Sequence, residues 1–80
     1  MEIRDWDLDI EPDSHSAEMA AHWLEKNPDN AVAFFKEAEN SSENFAHFET
    51  PDLGDPTVAH HFTVIYKGAH RCYLRKREGY

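Results

Sequence analysis

The sequence is short of almost everything that specialised chemistry requires: one cysteine, three glycines, and 8 Lys and Arg against 16 Asp and Glu in 80 residues. Each scarcity excludes something. A lone Cys72 cannot close an intrachain disulfide, which fits a reducing compartment and makes the cytoplasm the expected location. Three scattered glycines leave no glycine-rich loop to cradle a phosphate. The longest apolar run, residues 31–35, is far below the roughly 20 residues of a membrane span. Six carboxylates fall within the first 13 residues, where a secretory signal would be basic and then apolar, so none is expected. Leu, Ile, Val and Phe make up 15 of the 80 residues, near the roughly 20% below which highly charged chains stay disordered. Trp6, Trp23, five Phe and three Tyr offset that shortage. The expectation is one small globular domain spanning residues 1–80 with a thin core.

Periodicity orders the chain. Residues 1–10 alternate, with Trp6, Leu8 and Ile10 on one side and Asp5, Asp7 and Asp9 on the other, which predicts a half-buried strand ended by Pro12. Asp13 or Ser14 can cap a helix over 14–26, whose buried stripe is Ala17, Ala20, Ala21 and Leu24. Asn27-Pro28 breaks that helix and starts another over 28–39, with Asn27 as cap and Ala31, Phe34, Phe35 and Ala38 as its stripe. Residues 40–44 read as a loop, 45–50 as a short strand and 51–56 as a turn-rich connector. The β-rich stretches 58–66 and 70–77 form a hairpin. A three-residue loop, Lys67-Gly68-Ala69, sets Val64 opposite Cys72 and gathers Phe62, Val64, Tyr66, Cys72 and Leu74 on one face. The fold class is therefore α+β, a small, mainly antiparallel sheet in the order β-αα-βββ with two helices on its even-numbered face.

The acidic ladder is the first feature that could carry function. Asp5, Asp7, Asp9 and Glu11 recur every second residue, which in a strand puts neighbours about 6.6 Å apart. At that distance unit charges repel by about 0.6 kcal/mol in water, so something should compensate. Arg71, Arg75 and Arg77 on the last strand could do so if the first and last strands were neighbours. The alternative is a basic partner. The ladder imitates the start of a calcium-binding EF-hand loop, but Ile10 and Ser16 stand where that loop needs Gly and Glu. Six histidines, among them His60, His61 and His70, match no zinc-ligand spacing, and no metal or cofactor is expected. They read as surface groups. Cys72 falls on the core face, not in the electropositive, accessible setting of a nucleophile. No catalytic motif stands out, and an enzyme is not expected.

Charge is also unevenly spread, net -12 over residues 1–66 and +4 over 67–80. Together these features predict a non-enzymatic acidic protein that binds, and so blocks, a basic nucleic-acid-binding surface of a larger protein. The contact set is Asp5, Asp7, Asp9 and Glu11, or the helical carboxylates Glu18, Glu25, Asp29, Glu37 and Glu39. A second reading is a structural domain that homodimerises through Trp23, Met19 or a free sheet edge; Met19 and Trp23 lie one turn apart on the flank of the first helix. A third, ranked below both, is nucleic-acid contact by the basic C-terminal hairpin. In size, acidity and α+β build the chain resembles phage-encoded inhibitors of host defence, such as anti-CRISPR proteins and the inhibitor of uracil-DNA glycosylase. It is similar in the same respects to bacterial nuclease immunity proteins. The likeness is one of composition; it implies an inhibitory binding role and assigns none to any residue.

Overall fold

The computed structural model describes residues 2–79. Six elements follow a short 3-10 turn, Ile3–Asp5: β1 (Asp7–Ile10), α1 (His15–Lys26), α2 (Pro28–Asn40), β2 (Phe45–Pro51), β3 (Ala59–Gly68) and β4 (Arg71–Lys76). The expected β-αα-βββ order holds. The strands lie in the order β1-β4-β3-β2, so β1 and β2 are the two edges. β2 with β3 and β3 with β4 run antiparallel, while β1 runs parallel to β4. The first and last strands are therefore neighbours.

The first strand is shorter than the alternation predicts. Glu2 and Asp5 cap each other and the Trp6 N–H donates to the Ile3 carbonyl, so residues 3–5 coil and only Asp7 onward is extended. Met1 lies outside the described residues. Ser14 is the cap of α1, its Oγ accepting from the Ala17 N–H at 3.2 Å. Asn27 does not cap α2 with its side chain; its Nδ2 donates instead to the Trp23 carbonyl at the end of α1. Pro28 supplies the preset backbone angle at the first helical position.

Both helices cover the even-numbered face, where Phe62, Val64, Cys72 and Leu74 are buried against Ala17, Ala20, Leu24, Ala31, Phe35 and Ala38. The alanines let the helices approach closely. Val32 joins the α2 stripe, and Phe34, expected in it, is only half-buried. It extends the core sideways as an aromatic row, stacked between Trp23 (6.3 Å between centroids) and Phe48 (4.2 Å).

The hairpin differs from the expected register. Val64 sits opposite Leu74 and Tyr66 opposite Cys72, a shift of two residues that leaves every side chain on its expected face. The chain reverses at Ala69-His70, both with positive φ (53° and 59°), the geometry of a two-residue primed turn. Gly68 is spent on the adjoining irregularity, at φ 90°.

Candidate protein-binding edge

β1 presents three things at once: carboxylates, apolar side chains and unpaired backbone. Its hydrogen bonds to β4 fix which groups point where. The Asp7 N–H donates to the His70 carbonyl and the Glu11 N–H to the Leu74 carbonyl, both at 2.9 Å. In a parallel ladder, bonded residues alternate along the strand, so the main-chain N–H and C=O of Leu8 and Ile10 face away from β4, at the outer edge of the sheet.

The side chains divide by the pleat. Asp7 and Asp9 are exposed on the sheet face that no helix covers. They lie level with Arg71 and Tyr73 on β4, yet neither forms an ion pair among the described residues. Arg75 pairs instead with Glu78, Nη2 to Oε1 at 2.6 Å. The Lys67 ammonium lies 5.9 Å from the centre of the Tyr73 ring. The rest of the ladder serves the fold. Asp5 accepts from the Glu2 N–H at 2.9 Å, and Glu11 Oε1 accepts from the Lys76 N–H at 3.2 Å, where the β4 ladder runs out. Asp7 and Asp9 are thus the part of the ladder with carboxylates available to a partner.

Leu8 and Ile10 point the other way, toward α1. Ile10, expected on the buried face, is 41% exposed because the helical layer stops short of this edge. With Ile3 and Leu8 it forms one wall of a groove of about 490 Å³ whose other wall is Ala21 and Leu24 of α1. Glu18, His22 and Glu25, spaced one helical turn apart, rim that second wall. An apolar trough rimmed by carboxylates on its helical bank, with Asp7 and Asp9 on the opposite face of β1, is legible only after folding, because its walls come from separate segments of the chain.

The other expected contact residues fall elsewhere. Asp29, Glu37 and Glu39 ride on α2, which packs over β2 and β3, and line no part of the groove. Trp23 is half-buried and stacked on Phe34, and Met19 is half-buried beside it on α1, so this flank is largely covered from within.

One polar cluster went unnoticed in the sequence. His60 is buried, not a surface group, and its Nε2 lies 2.8 Å from Asp52 Oδ1. Asp52 Oδ2 also accepts from the N–H groups of Gly54 and Asp55. Hydrogen bonds from His60 and then from those two amides hold the Asp52 carboxyl below the usual aspartate range. Thr50 stands opposite His60 in the ladder with a buried hydroxyl that has no partner among the described residues. Hydroxyl, imidazole and carboxylate in sequence suggest a nucleophile, but Thr50 is 1% exposed and no substrate reaches it. The cluster acts as a clasp that closes the 52–58 connector onto β3.

Among the described residues, no group of three or more His, Cys, Asp or Glu is placed to hold a metal ion, and no helix is long and apolar enough to cross a membrane. Comparison of the chain with protein-family models, with curated proteins and with solved structures gives no match.

Proposed function

We propose that the protein is a small acidic binding protein of the cytoplasm that occludes a basic, nucleic-acid-binding surface on a larger protein. Its contact set is Asp7 and Asp9 of β1 with Glu18 and Glu25 of α1. The observation that supports this reading is that Asp7 and Asp9 stand on an open edge without ion-pair partners among the described residues, although arginines occupy the adjacent strand. The repulsion of about 0.6 kcal/mol between them in water is left for an incoming cation to relieve. Opposite charge also speeds encounter and makes it salt-sensitive. The likeness in composition to phage-encoded inhibitors of host defence suggests that the bound surface is one the protein inactivates.

The test is to immobilise the protein, pass over it a lysate of its native host at low salt, and elute with rising salt. The expected result is one larger basic protein leaving at moderate salt. Asp7→Asn with Asp9→Asn should weaken its retention about tenfold or more. Recovery of nothing but the protein itself, as a dimer indifferent to salt, would replace this reading with apolar self-association.

A further inference from the structure

We infer that the partner engages this edge as an added β-strand, a short segment in which basic and apolar residues alternate; the inference rests on the acidic-binding reading above. Three independent features of β1 converge on it. The main-chain groups of Leu8 and Ile10 point outward at the sheet's edge, the phase being set by the bonds from Asp7 to His70 and from Glu11 to Leu74. Residues opposite one another on adjacent strands share a face. A strand laid along β1 therefore puts the side chains opposite Asp7 and Asp9 on the open sheet face, beside those carboxylates. It puts the intervening ones over Leu8 and Ile10, into the apolar groove. Basic residues suit the first set and aliphatic residues the second. Glu18 and Glu25, on the far bank of the groove, complete the selection for a cationic segment.

The same charges exclude competitors. Exposed edges invite unspecific pairing, and natural sheets guard them with charge. Here both guards are negative. A second copy of this chain brought edge to edge would set Asp7 and Asp9 against their own counterparts, and acidic strands in general are turned away. The edge thus admits one kind of guest. Strand addition of this type draws affinity from main-chain bonds and specificity from alternate side-chain pockets.

The experiment uses synthetic peptides and the full chain. One octapeptide alternates lysine with valine. A second has the same composition in two blocks, four lysines and then four valines. A third is the alternating peptide with N-methyl groups on alternate backbone nitrogens. The alternating peptide should bind about tenfold or more tighter than either of the others. On binding it, the Leu8 and Ile10 amides should shift in NMR spectra and exchange more slowly with solvent. Ile10→Ala, at an exposed position, should weaken the alternating peptide and leave the block peptide unchanged. Equal binding of all three, abolished by Asp7→Asn with Asp9→Asn, would overturn strand addition while leaving the acidic-binding reading intact. Failure of every peptide to bind at low salt would remove both.

Discussion

His70 stacks on Trp6, with ring centroids 4.6 Å apart and planes 27° from parallel. The contact ties the β3–β4 turn to the residue that precedes β1, beside the hydrogen bond from the Asp7 N–H to the His70 carbonyl. Ring and main chain together anchor the start of the acidic edge. Trp6 also meets Phe35 and Tyr66, at 5.6 and 6.2 Å, so the stack connects the edge to the core.

Replacing His70 with asparagine, which tolerates the φ of 59°, should remove that stack while keeping the turn. The expected loss is about 0.5–1.5 kcal/mol beyond the area exposed. In a domain of this size that lowers Tm by about 4–8 °C per kcal/mol. Hydrogen exchange at the Asp7 amide should accelerate more than exchange at core amides of β3. An unchanged Tm with unchanged exchange would show that the stack holds nothing in place.

The turn itself carries strain at Ala69. A β-carbon at φ 53° meets the following carbonyl, a penalty that asparagine and glycine largely escape. Ala69→Asn should stabilise the protein by about 1 kcal/mol, read as a higher urea midpoint with an unchanged slope. The same change at His70 should not, because the Trp6 stack goes with it. Destabilisation by Ala69→Asn would mean that the methyl group does something other than endure the turn.

That turn also shows where sequence pattern stops being informative. Helix limits were legible because caps, alanine stripes and the Asn27-Pro28 break are local signals, and they agree with His15–Lys26 and Pro28–Asn40 to within a residue. Strand faces were legible because the period of two survives a register shift of two residues. The hairpin loop was misplaced because Gly68 is the strongest turn residue in its neighbourhood, yet the chain spends it on an irregularity and reverses on Ala69-His70, where a distant tryptophan rewards the histidine. Asp7 and Asp9 were readable as a ladder. That Asp5 and Glu11 are occupied by the main-chain amides of Glu2 and Lys76, while Asp7 and Asp9 are not, depends on contacts up to 65 residues apart. The Asp52–His60 clasp was missed because neither residue lies in a recognisable motif and eight positions separate them.

Asp52 gives the protein an acid-sensitive element. Its folded-state carboxyl titrates below its unfolded value, chiefly through the His60 hydrogen bond, so the unfolded chain binds the proton more readily. The stabilisation is fully present above the ordinary aspartate range and is lost as pH falls below that range through the lowered folded value. Asp52→Asn should reduce stability at pH 7 and flatten the acid limb of the stability profile relative to the parent protein. Urea titrations at several pH values provide the check. Parallel acid limbs in the two proteins would show that the clasp contributes nothing to acid unfolding.

Cys72 should be chemically silent until the protein unfolds. It is 1% exposed, opposite Tyr66 on β3 and Leu8 on β1. Burial first, and the charge of Glu39 second, push its thiol up to about 11. At pH 8 the nucleophilic thiolate is therefore a small fraction, and the reagent has no path to it. Modification by a disulfide-exchange reagent should proceed only through opening of the sheet. Its rate should rise with urea in step with the unfolded fraction and fall in the stabilised Ala69→Asn variant. Cys72→Ser should cost about 1–3 kcal/mol, because the hydroxyl is buried in the core between Leu8 and Tyr66 and must find a partner there. Rapid, urea-independent labelling of the native protein would mean that β4 opens locally, and with it the strand that anchors the acidic edge.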